Sequence, residues 1–265
     1  MNAASKKAIL IVSFGTSYEN TRKRTIDAIE RDIADAFPAC PAYRAWTSKM
    51  IIAKLKKRDG IIIHTVKEAM EQMLLDGITD VIVQPTHVIN GIENDQMKAD
   101  ALSFRDRFSS IVFGNPLLTT EEDNQAVVQA VAGEFQDMDQ ETALVLMGHG
   151  TEHYANSVYA ALDYRFKDMG HKNIFLGTVE AYPALDSLLR AADSFQPKKI
   201  VLAPFMIVAG DHAHNDMAGD SPDSWVCQFE NAGFEVCPII KGLGEYPGIR
   251  RMYVEHAQKA IDSMK

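Results

Sequence analysis

The sequence predicts an α/β protein of two similar lobes, each a parallel sheet flanked by helices. Three observations predict it. Apolar, β-branched runs alternate with helix-period segments along the chain, the pattern of parallel strands joined by crossover helices. One strand-loop-helix pattern occurs twice, as Lys6–Tyr18 (KKAILIVSFGTSY) and Glu141–Tyr154 (ETALVLMGHGTEHY). A second pair follows in the same order, Asp80–Met97 (DVIVQPTHVINGIENDQM) and Lys199–Met217 (KIVLAPFMIVAGDHAHNDM). Aligning Gly15 with Gly150 sets Phe14 opposite His149, and aligning Gly91 with Gly210 sets Glu93 opposite His212.

The elements follow in order. Ala8–Phe14 is a continuous apolar run and reads as a strand buried on both faces. Glu19–Phe37 has helical periodicity, and Ala42–Thr47 reads as a short strand. Lys49–Lys57 and Val66–Leu75 read as helices, the second stopped at Gly77. Asp80–Gln84 is a strand, Asp95–Phe108 a helix, Ile111–Phe113 a strand and Asn124–Phe135 a helix. The second half repeats the alternation. Its strands are Ala143–Met147, Ile174–Val179, Lys199–Ala203 and Phe234–Pro238. Its helices are Ala155–Phe166, Ala184–Ala192, Ser224–Ala232 and a closing Pro247–Met264. The polar stretch Phe135–Thr142 is the expected linker, dividing the chain into lobes 1–138 and 139–265 with a cleft between them.

Composition narrows the function. A hydrophobic fraction of 46% and a charged fraction of 24% belong to a globular protein able to bury a core. A net charge of −9 disfavours nucleic acid as a partner, because phosphate backbones need clustered Lys and Arg. No run approaches the ~20 apolar residues that span a bilayer. The basic pair and apolar stretch of MNAASKKAILIVSFG lack a small-residue cleavage site and read as a strand. Three cysteines without a CxxC pair suit a reducing compartment, so a cytoplasmic protein is expected. Neither GxxxxGK[ST] nor an intact GxGxxG occurs, which disfavours a nucleotide. No organic cofactor is expected.

In parallel α/β sheets ligands bind beyond the carboxyl ends of the strands. His149 and Glu180 each directly follow a predicted strand, and His212 follows another by a few residues. Two imidazoles and a carboxylate suit a divalent first-row metal. The spacings, 31 residues from His149 to Glu180 and 32 from Glu180 to His212, match no local metal motif. Each is one supersecondary unit, so convergence depends on the fold. Each residue also has a plainer reading. His149 could bond backbone within its loop, although Gly148 and Gly150 permit close approach of another group. Glu180 could serve the N-terminus of the following helix. One histidine of Gly210–Asp216 could be a structural residue paired with an aspartate. His87, His171 and His256 read as ordinary, and His153 as a helix-start or supporting residue.

Several segments resemble the sirohydrochlorin cobaltochelatases of anaerobic cobalamin synthesis, the CbiK type, related in fold to ferrochelatase. They are SFGTSYENT, TSKMIIAKLKKRDGI, HVINGIE, MGHGTEH, VEAYP, MIVAGDHAHNDMAGD and GLGEYPGIR, spread over nearly the whole chain. The resemblance implies two α/β lobes around a tetrapyrrole cleft and a metal held by His149, Glu180 and His212. It implies insertion of Co²⁺ into sirohydrochlorin. Fe²⁺ and Ni²⁺ suit the same ligands. Iron insertion towards sirohaem or haem, and non-catalytic binding of metal or tetrapyrrole, are the alternatives.

Metallation requires delivery of a partly desolvated ion and loss of two pyrrole protons. On this reading His149 also accepts a pyrrole proton, and Glu180 offsets the ion's charge. Glu93 orients the incoming ion, and Phe14 and Glu93 are the expected substrate-side residues. Arg44 and Lys49 are candidates for steering a polyanionic macrocycle. Sirohydrochlorin and a divalent ion are thus the expected partners, with a homo-oligomer compatible but not required.

Overall fold

A computed structural model describes residues 5–264 and resolves two compact units. The first contains β1 (Lys7–Ser13), α1 (Glu19–Arg24), α2 (Ile26–Ala36), β2 (Ala42–Trp46), α3 (Lys49–Asp59) and α4 (Val66–Leu75). It continues through β3 (Asp80–Pro85), α5 (Ile92–Leu102) and β4 (Ser110–Phe113). The second contains α6 (Glu121–Glu134), β5 (Thr142–Gly148), α7 (Ser157–Asp168), β6 (Ile174–Thr178), α8 (Leu185–Phe195), β7 (Lys199–Pro204), α9 (Trp225–Asn231) and β8 (Glu235–Pro238). The last helix, α10 (Pro247–Asp262), belongs to the first unit.

Each unit has a four-stranded, all-parallel sheet, ordered β2-β1-β3-β4 and β6-β5-β7-β8. Both central pairs are buried because helices cover both faces, so their sequences are apolar without alternation. In the first unit Leu10, Val12, Val81 and Val83 pack with Met70 and Met97. In the second Val145, Met147 and Leu202 pack with Leu188, Trp225 and Phe229. Helix starts are set locally. Thr65 and Glu68 close a capping box on α4, and Thr120 and Asp123 close one on α6.

The repeat holds at the level of single paired residues. Lys7 pairs with Asp80 as Thr142 pairs with Lys199, and Val12 with Pro85 as Met147 with Pro204. Ile9 pairs with Ala42 as Leu144 with Ile174. Gly15 and Gly150 follow equivalent strands, with φ of 106° and 86°. A one-residue slip would reverse every side chain in a strand, so this shared register is strong evidence of duplication.

Three expectations need correction. The division at 138/139 does not describe the compact units, which are residues 1–119 with 247–265, and residues 120–246. The cause is that α10 packs on α2, β3 and β4, whereas α6 packs on α7. Phe135–Thr142 therefore joins α6 to β5 inside the second unit. The single helix expected over Glu19–Phe37 breaks at Thr25, whose hydroxyl donates to Thr21 O at 2.6 Å. Finally, α5 starts at Ile92 rather than Asp95 and ends at Leu102, short of Phe108.

Candidate metal centre

The second unit builds its site from three strand ends. His149 is the residue after β5, between two glycines that its neighbours require. A Cβ on Gly148 would lie 2.7 Å from the Tyr159 ring, and one on Gly150 would lie 2.9 Å from Ala181 N. Glu180 stands two residues beyond β6, and its N–H donates to His149 O at 2.9 Å. Next to it, Val179 N–H donates to Gly148 O at 3.0 Å, so backbone locks the two loops together. Asn156 adds a side-chain clasp, accepting from Thr151 N at 3.1 Å and donating to Tyr182 O at 2.7 Å. His212 follows β7 and precedes a short π-helical turn, Ala213–Met217.

These elements bring His149, Glu180 and His212 together. One ligand atom from each lies within 4.8 Å of the others. The imidazoles of His149 and His212 meet edge to face, with centroids 4.7 Å apart. His149 Nδ1 is 3.7 Å from a Glu180 oxygen. At ~2.0–2.1 Å per bond, two ligands of one ion are at most ~4.2 Å apart. Small rotations of these partly exposed side chains therefore suffice to close the set on an ion.

The hydrogen bonds also distinguish the two nitrogens of each ring. His149 Nδ1 lies 2.8 Å from Gly150 O, and a carbonyl can only accept, so Nδ1 carries the proton. His212 Nδ1 lies 2.6 Å from a carboxylate oxygen of Asp216. In their neutral forms both rings then carry the lone pair on Nε2.

The other sequence candidates separate. Phe14, in the first unit, occupies the position equivalent to His149 and is 43% exposed. Glu93 lies in the first turn of α5, as His212 lies at the start of its helical turn. Glu180 also has a counterpart that sequence alignment did not pair with it: Ser48. Its N–H donates to Phe14 O at 3.2 Å, as Glu180 N–H does to His149 O, and its side chain caps α3. Arg44 does not fit a steering role. Its guanidinium is half-buried on β2 and committed to Glu30 and Asp27, with Nε 2.8 Å from Glu30. Lys49 is exposed at the start of α3. Of the remaining histidines, His153 accepts from Ala155 N at 3.2 Å, the helix-start role, and His256 Nδ1 lies 3.0 Å from Asn115 O.

The sheets and the His-Glu-His edge define a duplicated α/β protein with a centre able to hold a divalent ion. The family model for cobalt chelatase (CbiK) matches residues 7–262, and the chain belongs to that family. A sirohydrochlorin cobaltochelatase of Salmonella typhimurium is 40% identical over 257 residues, covering 97% of each chain. The sirohydrochlorin cobaltochelatase CbiKC of Nitratidesulfovibrio vulgaris is 30% identical over 267 residues, 98% of this chain and 92% of its own. Among solved structures, SirB from Bacillus subtilis with Fe³⁺ shares the fold at a TM-score of 0.67 and 14% identity, covering 97% of both chains.

Proposed function

We propose that this protein inserts Co²⁺ into sirohydrochlorin, with both compounds as substrates. The observation that carries the reading is the convergence of His149, Glu180 and His212 within 4.8 Å. The naming of relatives at 40% and 30% identity supports the choice of reaction. The same donors accept Fe²⁺ and Ni²⁺, and the relatives' names favour cobalt over both. All three ligands come from one chain, so the centre needs no second copy. Three free cysteines suit a reducing compartment, and we place the reaction in the cytoplasm.

Three protein ligands leave coordination positions open for the macrocycle nitrogens. Glu180 offsets the charge of the ion and raises its local concentration. As the metal–nitrogen bonds form, two pyrrole nitrogens release their protons. His149 accepts one of them at Nε2, the nitrogen that its bond to Gly150 O leaves free, and the other passes to solvent water. It acts as ligand first and as base once the ion has moved to the macrocycle. Phe14 and Glu93 are proposed as macrocycle and ion contacts from their positions in the repeat.

Anaerobic incubation with sirohydrochlorin and Co²⁺, followed by absorbance, tests the reading. The wild type should metallate the macrocycle faster than the buffer reaction, with cobalt ahead of iron and nickel. His149→Ala should slow turnover by ~10²-fold or more at saturating Co²⁺, the usual effect of losing a general base. Glu180→Gln should mainly raise the cobalt concentration required. Full rescue of His149→Ala by excess cobalt would reduce His149 to a ligand. A wild-type rate equal to buffer would refute the chelatase reading.

A further inference from the structure

We infer that Asp216 is a positioning residue that fixes His212 for the ion. This rests on the reading of His149, Glu180 and His212 as the metal set. Asp216 Oδ2 lies 2.6 Å from His212 Nδ1, within the range of a charge-assisted hydrogen bond. In the neutral ring the carboxylate accepts the Nδ1 proton, which places the lone pair on Nε2, directed by the ring's orientation. Negative charge behind an imidazole also strengthens it as a ligand.

The backbone is arranged to make this pair. Asp216 lies in the π-helical turn Ala213–Met217, and such turns concentrate at functional sites. Ala218 N–H reaches back five residues to Ala213 O at 3.3 Å, the bond of a widened turn. The chain then passes so close to itself that a Cβ on Gly219 would lie 2.4 Å from Asn215 O. Only glycine allows that approach without a shift, and the approach ends the turn beside Asp216.

Stability does not explain the pair. The Asp216 side chain is 48% exposed, and exposed ion pairs contribute little to folding. The two imidazoles also differ in a useful way. His149 is oriented by the neutral carbonyl of Gly150, His212 by an anion. We assign His212 as the anchoring ligand, which frees His149 to exchange between ion and proton.

The test compares wild type, Asp216→Ala, Asp216→Asn and His212→Ala by two readouts. Calorimetry with Co²⁺ alone gives affinity. Long-range ¹H–¹⁵N NMR of the metal-free protein gives the His212 tautomer, which a merely structural role would not move. Asp216→Ala should weaken Co²⁺ binding ~10–100-fold, the range for supporting groups of metal ligands, and release His212 from the Nδ1–H tautomer. Asp216→Asn keeps an acceptor oxygen, so it should hold the tautomer and bind cobalt with intermediate affinity. Unchanged affinity and tautomer in Asp216→Ala would overturn the inference, and so would a changed tautomer with unchanged affinity. A His212→Ala protein that binds cobalt like wild type would instead remove the metal reading itself. Matching thermal melts of the variants exclude misfolding as the cause.

Discussion

His87 shows how burial alone sets the behaviour of one residue. It lies beyond β3 in the first unit, and desolvation lowers its pKa from 6.5 to about 4, opposed only weakly by the neighbouring Asn94 side chain. The folded protein holds this ring neutral, whereas the unfolded chain protonates it near pH 6.5. Its contribution is therefore complete above pH 6.5 and is lost as pH falls towards 4. At 1.36 kcal/mol per pKa unit the loss is on the order of 3 kcal/mol. Urea midpoints measured from pH 7 to pH 4 should fall more steeply for wild type than for His87→Gln. Parallel curves would clear His87 of any part in acid sensitivity. The same scale separates the two copies chemically. Phe14, Ser48 and Glu93 stand where the other unit has His149, Glu180 and His212. Sequence alignment revealed the first and third pairs because a glycine anchors each. Ser48 escaped notice because no such anchor marks β2. Arg44 was misread because the acids that hold it, Asp27 and Glu30, lie on α2, out of sequence register with β2.

At the scale of elements, the loop after β5 concentrates the demands of the site. Gly150 has φ of 86° and packs against the backbone of Ala181. Gly150→Ala should cost about 1–3 kcal/mol through backbone strain, and the clash should push the Glu180 loop away from His149. The expected result is a lower melting temperature together with weaker Co²⁺ binding. A variant that melts lower yet binds cobalt normally would separate loop geometry from the metal centre. Strands were the most legible elements, since apolar β-branched runs locate them and the repeat fixes them twice. The π-helical turn was not legible: Asp211–Asp216 advertises polarity, but nothing in that composition specifies a widened turn or which histidine Asp216 meets. The break at Thr25 was hidden for a related reason, because a hydroxyl bond back to Thr21 leaves the helical periodicity on either side intact.

For the whole molecule, the chain's last helix reports to its first unit. Ile249, Met252, Tyr253 and Ala257 of α10 are buried, and the Tyr253 hydroxyl donates to Thr86 O at 3.0 Å and His87 O at 3.2 Å. No local pattern could reveal this return, because an amphipathic helix does not state which sheet it covers. Tyr253→Ala should cost about 3–5 kcal/mol, as expected for truncating a buried aromatic. Hydrogen exchange should then quicken in β1, β3 and β4 while β5–β8 keep their protection. Equal loosening of both sheets would show that the units do not unfold as separate bodies.

The two copies also differ in length without differing in register. The chain runs from 42 to 80 between the starts of β2 and β3, but only from 174 to 199 between those of β6 and β7. The surplus in the first copy is α3, in which Leu55 is the one buried residue. The molecule thus carries its own record of where foreign material is tolerated. A fluorophore or an affinity handle attached to exposed Lys54 or Lys57 would ride on a segment that the other copy does without, leaving both sheets untouched.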